Sequence, residues 1–151
     1  MNRKSLFLSM GGFAAVGLLV SGYLTYLSLV PPTSCIVGEF SVFSCDRVIW
    51  SEYSHFYGVS VALLGFGWFI IASCLLLIAR RRERYIRAVF AWSLLGAVGV
   101  AAFVYTEVFL LRSICPLCTI AHICGLAILA FSAVSLRARD ESSQATGTRS
   151  S

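Results

Sequence analysis

The chain has 151 residues, of which 58% are hydrophobic and 13% are charged. Because soluble domains average about 25% charged residues, this composition excludes an ordinary soluble domain. The formal net charge of +5 does not indicate a nucleic-acid-binding protein, since the basic residues cluster at the ends of long apolar stretches.

Four uninterrupted apolar stretches are long enough to cross a bilayer as helices. They cover about residues 6–29, 59–79, 88–111 and 115–136. The apolar residues do not alternate with polar ones, which favours helices over the strands of a membrane β-barrel. We therefore predict an all-α membrane protein in which residues 1–136 form one bundle of four transmembrane helices.

Basic residues mark three segments as cytoplasmic under the positive-inside rule. They precede the first stretch, separate the second from the third, and follow the fourth: Arg3, Lys4, Arg80, Arg81, Arg82, Arg84, Arg87, Arg137, Arg139 and Arg149. Both termini are therefore predicted to be cytoplasmic, and the polar residues 137–151 to form a disordered tail. Four cysteines fall on the outer side, where disulfides form and persist. These are Cys35, Cys45, Cys115 and Cys118.

The first stretch begins like a signal peptide, but it is too long and lacks a cleavage site, so we expect it to be retained. The outer loop after it, residues 33–57, contains Cys35 and Cys45. Beyond Cys45, apolar and aromatic residues recur at helical spacing and predict a short amphipathic helix in the membrane interface. Its apolar face comprises Ile49, Tyr53, Phe56 and Tyr57. An unordered belt of interfacial aromatic residues is the alternative.

The third stretch carries small residues that would allow close helix contact, including Gly96 and Gly99. Only a short outer turn follows it, so the third and fourth helices should be antiparallel neighbours. Glu107, near the outer end of the third stretch, is expected to reach the membrane interface; a functional role for this intramembrane acid is the alternative. Cys74 and Cys124 lie within spans and are expected to behave as inert apolar residues.

The sequence Cys115-Pro116-Leu117-Cys118 opens the last apolar stretch. Two sulfurs at this spacing lie one helical turn apart, close enough to form a disulfide and to be reduced again. Proline suits the first position of a helix, because its missing N–H would have no helical partner there. Cys115 would then lie at a helix N-terminus, where the dipole favours a reactive thiolate.

The outer cysteines thus form one pair on a water-accessible loop and one pair at membrane depth. Thiol–disulfide exchange between two such pairs would pass electrons from a protein to an acceptor in the membrane, for which a quinone is the obvious candidate. His122 follows Cys118 by four residues and shares its helical face. Its imidazole would bond a quinone oxygen or deliver a proton; a bond to a neighbouring helix is the alternative.

The order of these cysteines, the segment Cys45-Asp46-Arg47-Val48-Ile49-Trp50-Ser51, and the start of the second span at Gly58 resemble the bacterial homologues of vitamin K epoxide reductase. The resemblance covers about residues 6–136 and implies a four-helix protein of the bacterial inner membrane that oxidises periplasmic thiols and reduces a quinone, ubiquinone or menaquinone. A separate DsbA-like, thioredoxin-fold partner is implied, because no fused thioredoxin-like domain is expected in this chain.

The resemblance also implies roles for individual residues. Cys35 would form the mixed disulfide with the partner, and Cys45 would resolve it and exchange with Cys115. Cys118 would reduce the quinone, and Ser51 would support the quinone-side cysteines. The predicted quinone-contacting residues are Ser51, Phe56, Tyr57 and His122. This chain departs from the family in its widely spaced loop cysteines, in Ser60 where a proline is common, and in His122 where the animal enzymes carry tyrosine.

Three alternative functions also involve cysteines on the outer side of the membrane. A DsbB-like oxidase has the same chemistry, but its Cys-x-x-Cys pair comes in the first outer loop rather than at the last helix. A zinc site built from all four outer cysteines would be tetrahedral, although the loop pair is spaced too widely for the usual zinc knuckle. A structural bundle would use the same cysteines in static disulfides.

Overall fold

The protein is described by a computed structural model that covers residues 3–29, 55–56, 59–112 and 114–147. Four long helices account for most of this part of the chain: α1 Arg3–Leu29, α2 Val61–Arg81, α3 Ile86–Tyr105 and α4 Pro116–Gly147. A 3-10 turn, Glu83–Tyr85, joins α2 to α3, and α3 continues as a π-helical segment, Thr106–Leu111. Two short strands, β1 His55–Phe56 and β2 Val59–Ser60, pair antiparallel ahead of α2.

The four helices are long and apolar enough to cross a membrane, which confirms the predicted four-helix membrane architecture. The membrane-spanning parts are Lys4–Leu29, Val61–Arg81, Ile86–Leu111 and Pro116–Arg139. Large apolar side chains stand outward along them, for example Leu19, Val98 and Phe109, which are 74%, 65% and 68% exposed. An apolar exterior of this kind is stable against lipid tails rather than water.

One end of the predicted interfacial helix is corrected by the structure. Residues His55–Phe56 form strand β1 instead of a helical turn, with His55 opposite Ser60 and Phe56 opposite Val59. Glycine is a poor helix former, whereas aromatic and β-branched residues favour strands, so Phe56-Tyr57-Gly58-Val59 favours an extended pair over a helix. The rest of the predicted interfacial helix lies outside the described residues.

The predicted disordered tail is helical through its first eleven residues, because α4 runs on from Leu136 to Gly147. Nucleation is the costly step in forming a helix, and the transmembrane part of α4 already supplies the nucleus. Alanine, arginine, glutamate and glutamine, which are good helix formers, recur in this segment and allow the helix to propagate.

The helices pack in chain order around the bundle, so that α1 contacts α2 and α4, and α3 contacts α2 and α4. One core cluster fills the half of the bundle nearer the chain termini, with Met10, Phe69, Val89, Cys124 and Ile128 at its centre. A second, smaller cluster at the other end packs Leu24 of α1 against Cys115. The site described below lies beside this second cluster.

Glycines on α1 and α3 make room for aromatic rings of α2. A Cβ atom at Gly17 would collide with the ring of Phe69, and one at Gly96 would collide with the indole of Trp68. The indole ring of Trp92 is stacked on that of Trp68 at 6.4 Å, and its Nε1–H donates to the Trp68 carbonyl oxygen at 3.2 Å. Without a hydrophobic driving force between helices in lipid, such close packing is the main source of association.

Candidate active site

The two cysteines of the Cys-x-x-Cys sequence lie at the first turn of α4. The N–H of Thr119 donates to the Cys115 carbonyl oxygen at 3.0 Å, so Cys115 is the N-cap and Pro116 the first helical residue. The N–H of Cys118 donates to the Cys115 sulfur at 3.4 Å. The sulfur therefore takes the place of the side-chain oxygen that usually caps a helix, and the helix end stabilises negative charge that develops on it.

The two thiols differ in their access to other molecules. Cys115 is fully buried at 0% exposure against Leu24, whereas Cys118 is half-buried. Cys118 lines a cavity between the helices, and Cys115 does not. A small molecule in this cavity would therefore meet the Cys118 sulfur first, and Cys115 would act from behind it.

The cavity has a volume of about 270 Å³ and is lined by residues of all four helices, of the π-helical segment and of strand β2. Its wall is mostly apolar and includes the aromatic residues Trp68, Phe69 and Phe103. Three reactive side chains line it as well: Glu107, Cys118 and His122. An apolar slot with a few polar groups is the usual form of a site for a small organic molecule.

His122 lies on the same face of α4 as Cys118, since both line the cavity. Its ring is half-buried and stacks on Phe103 of α3, with centroids 6.3 Å apart and planes at 10°. The stacking fixes the plane of the imidazole without using its nitrogen atoms, which leaves them available for hydrogen bonds.

For Glu107, the sequence favoured a position at the interface over a functional role. Glu107 is only 6% exposed, and it lies in the π-helical segment that continues α3. Its carboxyl group lies within hydrogen-bonding reach of the backbone N–H of Cys115 and of the side chain of Cys118. An acidic residue inside an apolar span is itself the sequence signal that would have found it.

A turn with unusual backbone geometry places Glu107 against the cysteines. Arg112, which ends the π-helical segment, has a φ of 48° in the left-handed region, and its N–H donates to the Glu107 carbonyl oxygen. π-helical turns inside helices are rare and occur frequently at functional sites. Here the turn closes α3 directly ahead of the N-terminus of α4.

The structure brings together only some of the predicted site residues. Cys115, Cys118 and His122 lie within one turn or two of each other on α4. Cys35, Cys45, Ser51 and Tyr57 lie outside the described residues, and for Phe56 only the backbone, in β1, is described. Ser60, which follows this loop, lines the cavity and occupies the N-cap position of α2 without a capping hydrogen bond from its side chain.

These features define a class of protein: a multi-pass membrane protein with a dithiol beside a small-molecule cavity. The chain belongs to the vitamin K epoxide reductase family, whose sequence model matches residues 8–133. The chain is therefore an integral membrane oxidoreductase, and the predicted family relationship is confirmed. No curated protein matches the chain in a direct comparison.

Proposed function

We propose that the protein is a membrane thiol:quinone oxidoreductase that re-oxidises a periplasmic, DsbA-like protein of the thioredoxin fold. Electrons pass from the partner dithiol to Cys35 and Cys45, then to Cys115 and Cys118, and finally to a quinone. The observation that carries the proposal is the position of Cys118, a thiol at a helix N-terminus that lines a cavity between the transmembrane helices.

The cavity fits a quinone by the chemistry of its walls. A quinone ring is flat and apolar with two carbonyl oxygens, and it becomes a quinol by taking up two electrons and two protons. The rings of Trp68 and Phe103 line the cavity for the flat ring, and His122 and Glu107 line it with groups that bond oxygen or carry protons. Ubiquinone and menaquinone both satisfy this description, and the assay below distinguishes them.

The proposed location is the bacterial inner membrane, with both termini in the cytoplasm and the active cysteines on the periplasmic side. The arginines between α2 and α3 and those after α4 support this orientation, because basic loops are retained in the cytoplasm. The head of α4 lies at the opposite end of the bundle from these arginines. Disulfides form in the compartment on that side, and a partner protein that introduces them is itself reduced there.

The proposal is tested by quinone reduction with the purified protein in detergent and a reduced DsbA-like protein as electron donor. Ubiquinone and menaquinone analogues are compared, and Cys35, Cys45, Cys115 and Cys118 are each changed to serine. We expect the unaltered protein to turn over and all four variants to fail. Cys74→Ser, which changes an exposed thiol outside the relay, is the matched control and should keep full activity.

Other outcomes would favour the alternative functions. Full activity in the four variants, or none in the unaltered protein with every quinone, would contradict the relay. Stoichiometric zinc in the purified protein would then favour a metal site, which needs Cys35 and Cys45 as ligands. A Cys45→Ser variant that traps no partner in a mixed disulfide would favour static disulfides in a structural bundle.

A further inference from the structure

The carboxyl group of Glu107 lies at the wall of the same cavity as the sulfur of Cys118. Glu107 is 6% exposed, and its carboxyl group lies within hydrogen-bonding reach of the Cys118 side chain and of the backbone N–H of Cys115. These two contacts join the end of α3 to both residues of the dithiol. A thiol is a donor and an ionised carboxylate only accepts, so the Cys118 S–H can donate its proton to Glu107.

Burial of the Glu107 carboxyl group costs free energy. A carboxylate in an apolar, membrane-embedded site is destabilised by the loss of water, and such residues are typically functional. Among the described residues that line the cavity, the titratable ones are Glu107, Cys118 and His122, with no lysine or arginine. In the described part of the cavity wall, the carboxyl group therefore shares the cavity with a thiol and an imidazole and with no basic side chain that is charged at all pH values.

We propose that Glu107 is a catalytic residue that accepts the proton of the Cys118 thiol as this sulfur becomes the electron donor. The proposal rests on the function proposed above and assigns to it the acceptor for one of its two protons. A thiolate, and not a thiol, is the reactive form of cysteine, so a proton acceptor at this sulfur raises the rate of every step that begins there.

The proton and electron balance is complete. The Cys115 and Cys118 dithiol loses two electrons and two protons and forms one disulfide bond, while the quinone gains two electrons and two protons and becomes a quinol. The Cys118 proton moves to a carboxyl oxygen of Glu107 and from there to a quinone oxygen. The second proton comes from the Cys115 thiol, and the carboxylate is regenerated at the end of the cycle.

Two other roles of Glu107 give different predictions for the reactivity of Cys118. As a fixed negative charge alone, it would disfavour a thiolate beside it, and its removal would speed reactions of Cys118. As a structural cap for the Cys115 N–H alone, it would leave the reactivity of Cys118 unchanged when glutamine, which also has an accepting oxygen, replaces it. Only a proton acceptor predicts that glutamine slows Cys118.

The test measures alkylation of Cys118 in a pre-reduced Cys115→Ser protein, which cannot form the disulfide between these two positions. An uncharged maleimide is used between about pH 6 and 9, around the ordinary range for a cysteine thiol, and labelling is counted on the Cys118 peptide by mass spectrometry. Near neutral pH we expect Glu107→Gln to slow labelling by about a hundredfold or more, the usual effect of losing a general base. Glu107→Asp should recover part of the rate, and the deficit should shrink as pH rises.

Arg87→Gln is the matched control, because it removes one charge from an exposed side chain at the other end of α3, away from the site. It should label at the unaltered rate. Equal or faster labelling in Glu107→Gln would overturn the proposal. If that variant does not fold, Glu107→Asp decides: its shorter side chain must slow labelling, and a rate equal to that of glutamate would overturn the proposal.

Quinone reduction in the same detergent separates this inference from the proposed function. Normal labelling in Glu107→Gln together with normal quinone reduction would overturn the role of Glu107 and leave the proposed function standing. No quinone reduction by the unaltered protein with any quinone would overturn the proposed function, whatever the labelling of Cys118.

Discussion

At the scale of single residues, the stacked imidazole of His122 offers a direct test of quinone binding. In His122→Phe the new ring can keep the stack on Phe103 but cannot form a hydrogen bond. A typical neutral hydrogen bond contributes about 1 kcal/mol, so we expect the KM for quinone to rise about fivefold in a steady-state assay. Ile123→Phe, one residue away and 56% exposed, is the control and should leave KM unchanged. An unaltered KM in His122→Phe would show that the imidazole does not bind the quinone.

The site residues differ in how well the sequence revealed them. Cys115 and Cys118 were predicted because their spacing and the following proline have a direct physical meaning in a helix. Glu107 was expected at the interface. It is buried within a π-helical turn, and the hydrophobic pattern of this apolar stretch does not predict such a turn. The stacking of His122 on Phe103 could not be predicted either, because Phe103 lies on α3 and the contact depends on how the helices pack.

At the scale of the helices, two glycines of α3 provide a matched pair for testing the bundle packing. A Cβ at Gly96 would collide with the indole of Trp68, whereas nothing lies within 4 Å of a Cβ at Gly99. We expect Gly96→Ala to lower the free energy of unfolding by about 1–3 kcal/mol, the usual cost of overpacking. Gly99→Ala should be neutral or stabilising by up to about 1 kcal/mol, because alanine is the better helix former. Thermal unfolding in detergent compares the two, and equal stability would contradict the close contact of α2 with α3.

The helices themselves were the most predictable part of the fold. Uninterrupted apolar residues permit few structures in a membrane, so the number of helices follows from the number of long apolar stretches. The ends were less predictable, because they depend on local competition. Strand β2 takes Val59 and Ser60 from the start of the second helix, and the helix α4 propagates past the last apolar residue into a polar segment.

At the scale of the whole molecule, the proposed orientation has a clear consequence for reporter fusions. Alkaline phosphatase, which needs an oxidising compartment for its disulfides, should be inactive when fused after Ser151 and active when fused after Ile114. A fluorescent protein fused after Ser151 should fold and fluoresce. The reverse pattern would place the head of α4 in the cytoplasm and contradict the proposed periplasmic partner.

The central claim is that the dithiol of Cys115 and Cys118 delivers its electrons to a quinone. The most direct measurement is an anaerobic titration of the pre-reduced Cys35→Ser, Cys45→Ser protein with quinone, followed by disulfide mapping. We predict that one quinone is reduced per protein, that the Cys115–Cys118 disulfide forms, and that Cys118→Ser in this background reduces none. Quinone left unreduced, or reduced equally well without Cys118, would contradict the account.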